Sequence, residues 1–338
     1  MKLIDSTCPY CRSGELKKHS VYKTQNHGER PIMQCQTCKK FFSPTKNTFM
    51  AGIRTRISVI VDVFNSRTEG VGLNAVCRIF NVAKNTVLDW EKRMSPIKQV
   101  LLLYALLHQF FQVIIEGDEL YTKVGKNTPP DKSLGWTVVL MDRASRFLWE
   151  LQCGKKDRNL FRKAIRTLGK LIDQTKDISL ITDGEPRYGN ILFEICYEIL
   201  QTGKRGRPRK TLKKGVKVRM KNKGSQSHTR GRKRPKYKTP CPEHPETIQN
   251  IKNKDIHANH CEAFNSSIRR RNAAYRRKTN TYAKDEESLQ RTLDVYWVVH
   301  NFIRVHFTTK NVPAVAMGII KEKLSWENIF MIRVAAAV

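Results

Sequence analysis

The sequence has few acidic residues, no long apolar run and no leader-like N-terminus. Its 63 Lys and Arg face only 30 Asp and Glu, which gives a formal net charge of +33 and an isoelectric point near 10.0. The longest apolar run, residues 100–115, is interrupted by polar residues and is shorter than the ~20 residues that span a bilayer. Residues 1–8 lack the apolar core of a signal peptide. These absences argue against a membrane partner, and the charge predicts a cytoplasmic protein that binds nucleic acid.

Disulfide bonds are not expected either, because the nine cysteines are odd in number and four of them form two Cys-x-x-Cys pairs. Cys8 and Cys11 are separated from Cys35 and Cys38 by 23 residues. Two thiolate pairs of this spacing are typical of a tetrahedral structural zinc site. We therefore predict a zinc ribbon over residues 1–50 with structural Zn²⁺ on these four thiols. A chance set of buried or redox cysteines is the alternative.

Residues 51–98 predict a helix-turn-helix DNA-binding domain. Apolar residues at helical spacing occur over 59–64 and 73–80, and a short turn at 81–84 leads into a second helical pattern over 85–93. Lys84, Asn85 and Thr86 would open this second helix, where side chains reach base edges. No residue in the segment is diagnostic, so an ordinary helical hairpin remains the alternative.

Two aspartates follow apolar runs in the middle of the chain. Asp118 ends an apolar run that starts at Val113, within a predicted strand over 111–120, and Asp183 ends the apolar run 178–182. Between them the sequence predicts strands over 134–143 and 147–152 and a helix over 159–171. Three strands, a helix and a further strand match the order of a ribonuclease-H-like fold, in which the two strand-end carboxylates lie side by side. The predicted fold class is therefore an α/β catalytic domain over 110–310, with a mixed sheet flanked by helices.

A third acid, Glu262, lies in a helical segment rich in arginine. Glu262, Asn265 and Arg269 fall at i, i+3 and i+7, so they share one face of the predicted helix. Arg270 and Arg271 follow at once and could hold phosphates. The pattern predicts a metal ligand with polar and cationic groups beside it.

Carboxylates in a chain built to hold polyanions predict a divalent metal held against phosphate. Two Mg²⁺ (or Mn²⁺) ions about 3.5–4 Å apart would activate an oxygen nucleophile and stabilise the leaving oxygen. Asp118 would bridge the ions, with Asp183 and Glu262 each holding one. Water would attack first and free a 3′-OH, which would then attack target DNA without a covalent enzyme intermediate. Glu119 and Asp142 are further acids that could assist.

Several motifs in this region resemble the insertion-sequence-1 family of bacterial and archaeal transposases, whose members pair a zinc ribbon and helix-turn-helix with a DDE catalytic domain. In chain order the similar segments are 117–125 around Asp118, the strand from Trp136 to Arg143, 182–188 around Asp183, 262–269 with Glu262 and Asn265, and the basic segment 278–284. Each motif is weak alone. The ordered set spans about residues 5–310.

The resemblance implies that Asp118, Asp183 and Glu262 form a catalytic triad that cuts and joins the ends of a mobile element. It also implies particular partners: the element's terminal repeats, target DNA and further copies of the chain in a synaptic complex. No small-molecule cofactor is implied, and the expected location is the bacterial or archaeal cytoplasm, on the nucleoid. A sequence-specific DNA-binding regulator, an inactive element copy and a structure-specific nuclease of the same fold are the alternatives.

A basic insertion over 201–255 interrupts the predicted catalytic domain and separates Asp183 from Glu262 by 79 positions. Residues 201–240 hold 17 Lys or Arg and no acid, so this stretch is expected to bury no core and to be disordered or ordered only on DNA. Residues 204–210 look like an AT-hook, whose Arg205, Arg207 and Arg209 would lie in the minor groove. A generic phosphate-binding tract is the alternative.

Four residues late in the chain have the spacing of a second zinc site: Cys241, His244, His257 and His260. The same side chains could instead pack near the Glu262 helix or contact phosphate, and the sequence does not decide between these interpretations. Residues 311–338 carry no recognisable chemistry and are expected to form a helical tail or a packing strap.

Overall fold

The protein is described by a computed structural model over residues 6–109, 111–126, 128–175, 177–201, 206–222, 236–276 and 280–334. Its strands are β1 (Leu16–Thr24), β2 (Gly28–Cys35), β3 (Phe41–Phe42), β4 (Val113–Tyr121), β5 (Trp136–Asp142), β6 (Leu148–Gly154), β7 (Ile178–Asp183), β8 (Tyr197–Leu200), β9 (Arg209–Leu212), β10 (Val216–Asn222) and β11 (Lys236–Lys238). Its α-helices are α1 (Ile57–Thr68), α2 (Leu73–Phe80), α3 (Lys84–Met94), α4 (Ile97–His108), α5 (Arg158–Thr175), α6 (Arg187–Ile195), α7 (Asn259–Arg271), α8 (Glu286–Phe302), α9 (Pro313–Ala316) and α10 (Trp326–Phe330).

A mixed six-stranded sheet, in the order β11-β10-β7-β4-β5-β6, is the centre of the molecule. Strands β4, β5 and β6 form an antiparallel meander, whereas β7 runs parallel to β4 and β10 parallel to β7. Residues 178–182 of β7 are all buried, as expected of a strand covered by helices on both faces. The chain is thus an α/β protein whose sheet is flanked by helices and is compatible with a ribonuclease-H-like core.

Strand β10 lies inside the stretch that was expected to bury no core, so that expectation is wrong for residues 209–222. Val216 and Val218 are completely buried, and β10 pairs along β7 from Val216 to Lys221. The two intervening cations are buried as well, with Lys217 Nζ 2.9 Å from Asp177 and the Arg219 guanidinium paired with Glu243. Composition misled here because carboxylates elsewhere in the chain pair with the two cations and allow them to be buried on the strand.

Helices cover the sheet through apolar faces. Helix α5 buries one stripe against the sheet, and its buried side chains include Leu160, Phe161, Ile165 and Leu168. Helix α8 packs on the edge strand β6, where Asn301 both donates to the Leu148 carbonyl and accepts from its N–H, each at 2.9 Å. These paired hydrogen bonds fix the position of α8 along β6.

A buried ion cluster joins α4 to the sheet and to α8. Lys98 is 2% exposed, and its Nζ lies 2.5 Å from Glu150 and 3.1 Å from Asp294. Burial disfavours the charged amine, but the two carboxylates outweigh it and raise the pKa of Lys98 above its usual value. The helical region 57–108 is therefore tied to the sheet by charge as well as by packing.

The C-terminal residues act as a packing strap, one of the two roles expected for them. Trp326 stacks on Phe64 of α1 at 5.6 Å between ring centroids, and Phe330 stacks on Phe49 at 4.4 Å. A capping box on Ser325 and Asn328 starts α10. Among the described residues, no helix combines the length and the apolar character needed to cross a bilayer.

Candidate active site and metal centres

Parallel pairing of β4 with β7 brings Asp118 and Asp183 side by side. In this ladder Gly117 lies opposite Thr182, so the next residue of each strand is one of the two aspartates. A Cβ atom at Gly117 would come within 3.0 Å of the Tyr188 ring and 3.2 Å of Thr182, so glycine leaves the space in which Tyr188 packs.

Helix α7 brings the third acid to the same place. The Asn265 side chain is 3% exposed, and its Nδ2 donates a hydrogen bond of 2.8 Å to Asp118 Oδ2. Burial, with smaller effects from the charges of Asp183 and Glu262, raises the pKa of Asp118 to about 6 against a backbone hydrogen bond from Glu119 and the Asn265 hydrogen bond. Asp183 and Glu262 are thus near enough to Asp118 to act on its charge, but the three carboxylates are not among the groups of the described residues whose ligand atoms all lie within 4.8 Å of one another. Glu262 itself is exposed on the helix surface.

Two further groups, Glu119 and Lys156, extend the acidic cluster. Burial raises the pKa of Glu119 to about 7, although nearby Lys156 opposes the shift. Lys156 Nζ lies 3.6 Å from Glu119, 3.8 Å from Glu185 and 4.2 Å from the centre of the Trp136 ring. Glu119 is one of the acids expected from the sequence, whereas Lys156 was not expected, because its only signal is its place just after β6. Lys156 lies next to the acids and could contact a phosphate there.

Asp142, also named from the sequence as an auxiliary acid, has a local role. Its Oδ2 accepts hydrogen bonds from the backbone N–H and hydroxyl of Ser145, at 2.7 and 2.6 Å. These bonds hold the turn between β5 and β6.

Glu116, two residues before Asp118, holds the N-terminus of α7. It is fully buried, and its Oε2 accepts from the backbone N–H groups of His260 and Cys261 at 2.9 and 3.1 Å. Its Oε1 accepts from Arg143 Nε at 2.7 Å and lies 2.6 Å from His260 Nδ1. A carboxylate on the first free N–H groups of a helix both caps it and complements its dipole. Glu116 thereby fixes the helix that carries Glu262.

Glu116, His257 and His260 form one of two groups that could hold a metal ion, since one ligand atom from each lies within 4.8 Å of the others. Cys241 and His244 belong to neither group among the residues described. Cys241 Sγ instead donates to the Gly189 carbonyl at 3.2 Å, and His244 Nε2 lies 3.3 Å from Glu198. The four-residue zinc site left open by the sequence is therefore not assembled.

The other group is the set of four N-terminal cysteines, beside the three-stranded sheet of β1, β2 and β3. Cys8 and Cys38 Sγ are 3.6 Å apart and Cys11 and Cys35 Sγ 3.5 Å apart, too far for disulfides. Four sulfurs at ~2.3 Å from one zinc ion lie about 3.8 Å from each other, so the spacing fits a tetrahedral site. Hydrogen bonds from the Cys38 and Thr37 backbone lower the pKa of Cys35 to about 6. This group could hold a zinc ion.

The residues predicted to contact DNA lie in several places. Lys84 and Asn85 are exposed at the start of α3, and Arg269, Arg270 and Arg271 lie along the last turns of α7. Arg207 and Arg209 are exposed, and Arg209 begins β9, which pairs with β8. Arg205 of the AT-hook-like segment and residues 278–279 of the downstream basic segment lie outside the described residues.

No protein-family model matches this chain, and no curated protein matches it either. The resemblance to the insertion-sequence-1 transposases therefore rests on the motifs quoted above.

Proposed function

We propose that the protein is a DDE transposase, which binds the terminal repeats of its element and carries out metal-dependent cleavage and joining of DNA strands. One observation carries the proposal: Asp118 is half-buried near Asp183 and Glu262, and burial together with these two charges raises its pKa to about 6. Because neighbouring negative charges repel one another, the three acids favour a bound cation. The net charge of +33 favours a polyanionic substrate.

The three carboxylates fit the ligand set of Mg²⁺ or Mn²⁺, which prefer oxygen donors. Asp118, Asp183 and Glu262 would hold the metal, which supplies polarisation of the scissile phosphate and a nucleophile at neutral pH. Asn265 orients Asp118 through its hydrogen bond, and Glu116 fixes the helix that carries Glu262. Lys156 contributes a positive charge beside the acids.

Recognition of the element ends is assigned to the N-terminal 98 residues. The four thiols would hold structural zinc in a ribbon, and α2 and α3 would form a helix-turn-helix. Lys84 and Asn85 are exposed at the start of α3, where a recognition helix contacts bases. Arg269 and Arg270 on α7 and the exposed Arg207 would bind phosphates on either side of the scissile bond.

The cleavage step is tested on a DNA fragment that carries the terminal repeat adjacent to this gene. Wild-type protein with Mg²⁺ is expected to cut the 3′ end of the repeat, whereas Glu262→Gln is expected to bind the fragment and to lose cutting by about 10³-fold or more. Glu322→Gln is the matched control, because Glu322 is exposed far along the chain. Binding with no cutting by wild type in either Mg²⁺ or Mn²⁺ would favour a regulator or an inactive copy and contradict the proposal.

A further inference from the structure

A second basic surface lies on the far side of α7 from the acids. It is a cleft of about 550 Å³ between the C-terminal half of α7, the end of α8 and the loop 303–310. The residues that line it are mainly cationic and apolar: Ser267, Arg270, Arg271, His300, Arg304, Val305, His306, Phe307 and Lys310. We name this surface the Arg304 cleft. No acidic side chain is among its described lining residues.

The cations of the Arg304 cleft are only partly neutralised. Glu69, from the α1–α2 connection, accepts a hydrogen bond from Arg304 Nη2 at 2.6 Å and lies 3.4 Å from Arg271 Nε. One carboxylate thus faces several cations. Arg304 Nη1 is buried without a hydrogen-bond partner in the described part of the chain. Burial lowers the pKa of Arg304, and nearby Arg271 adds to this against Tyr296 and Glu69, so an anion in the cleft would stabilise the charged guanidinium.

Exposed apolar side chains stand beside these cations. Phe307 is 84% exposed and Val305 52% exposed. Lys310 Nζ covers one face of the Phe307 ring, 3.9 Å from its centre. An aromatic ring left in water next to phosphate-binding cations is the arrangement that binds unpaired bases, because every base offers an apolar face for stacking. A duplex, whose bases are stacked internally, could use the cations but not the ring.

The Arg304 cleft and Glu262 lie on opposite sides of helix α7. At about 100° per residue, Ser267 and Arg271 lie roughly 140° and 180° around α7 from Glu262, across a helix about 10–12 Å wide. The surface between these two sides carries the exposed residues Ser266 and Arg270. A single strand that leaves the acids across this surface would reach the cleft within a short distance.

We propose that the Arg304 cleft binds single-stranded DNA, with phosphates on Arg270, Arg304 and Lys310 and an unpaired base stacked on Phe307. The site is separate from the three carboxylates and needs no divalent metal. It is therefore testable whether or not the protein cuts DNA.

The test uses the full-length protein in Mg²⁺-free buffer and a short oligothymidylate that carries one 5-iodouracil. Irradiation is expected to cross-link the probe to Phe307, identified by mass spectrometry of the peptide. Phe307→Ala is expected to weaken binding of the single strand about 5- to 100-fold and to leave duplex binding within about twofold. Phe111→Ala is the matched control, because Phe111 is 73% exposed and is not among the residues that line the cleft.

A second variant separates base stacking from phosphate binding. Lys310→Ala is expected to reduce the salt dependence of single-strand binding by about 0.7 in log–log slope, the value for one phosphate contact. Lys321→Ala, at an exposed lysine outside the cleft, is expected to leave the slope unchanged. Cross-links that map only elsewhere would overturn the proposal. Full competition by inorganic tripolyphosphate, with Phe307→Ala unaffected, would also overturn it in favour of a simple anion site.

Discussion

Asn265 Nδ2 donates a 2.8 Å hydrogen bond to Asp118 Oδ2 and so joins helix α7 to strand β4. The two residues are 147 positions apart in the chain, and the bond lies in the middle of the acidic cluster. It orients the carboxylate that is flanked by the other two acids. Its loss should therefore affect metal binding more than the fold.

Asn265→Ala is expected to weaken Mn²⁺ binding about 10- to 100-fold, the usual cost of losing the group that orients a metal ligand. Isothermal titration of Mn²⁺ measures this change. Asn159→Ala, at an exposed asparagine in the first turn of α5, is the control. Equal Mn²⁺ affinity for wild type and Asn265→Ala would show that Asp118 is not a ligand.

Asp118→Asn is expected to stabilise the metal-free protein near pH 7 by about 1–3 kcal/mol, because the folded state raises the pKa of this carboxyl from 3.8 to about 6. A raised carboxyl pKa means that the folded state binds the proton more tightly. The stabilisation from that proton is complete below about pH 4 and is lost as the pH rises through about 6. The variant should thus match wild type at about pH 4 and exceed it at about pH 7.

Urea unfolding at the two pH values, in Mg²⁺-free buffer, measures this difference. Asp131→Asn, at an exposed aspartate, is expected to change neither value. A destabilised Asp118→Asn at about pH 7 would mean that the carboxylate is not under electrostatic strain.

Glu116→Gln is expected to lower the free energy of unfolding by about 3 kcal/mol, since it leaves Arg143 without its buried carboxylate and weakens the cap of α7. His257→Ala should cost less than about 1 kcal/mol, because His257 Nδ1 is 4.0 Å from Glu116 and makes no hydrogen bond to it. Denaturant titration compares the two variants. If added Zn²⁺ stabilised wild type but not His257→Ala, metal binding rather than helix capping would be the main role of Glu116.

Cys35→Ser is expected to remove the zinc bound by the N-terminal cysteines, because a tetrahedral site with three thiolates loses much of its affinity. Elemental analysis of purified protein should give about one zinc per chain for wild type and far less for the variant. Cys77→Ser is the control, because Cys77 is outside both metal-binding groups. An unchanged zinc content in Cys35→Ser would contradict the assignment.

The meander β4–β6, helix α5 and strand β7 could be predicted because their apolar patterns are local and strong, and the helix that carries Glu262 because Glu262, Asn265 and Arg269 fall at helical spacing. The closeness of Asp118 and Asp183 was expected from the match of the strand and helix order to a ribonuclease-H-like fold. Strand β10 could not be predicted from composition, since Lys217 and Arg219 are buried only through Asp177 and Glu243, which lie far away in sequence.

Glu116 and Lys156 were missed for a related reason. Their roles depend on contacts with α7 and with Glu119 and Glu185, which no spacing in the sequence reveals. The second zinc site, which the sequence left open, is not assembled, because Cys241 and His244 are not brought to His257 and His260. Ligand spacing is informative only where the intervening chain forms a compact knuckle, as it does between Cys8 and Cys11.

The most direct test of the central claim is to sequence the junctions formed when wild-type protein, Mg²⁺, a terminal-repeat fragment and a target plasmid are incubated together. The expected result is the 3′ end of the repeat joined to target DNA, present with wild type and absent with Glu262→Gln. Cut ends without any junction would identify a nuclease. Junctions formed equally well by Glu262→Gln would contradict the assignment of the three acids.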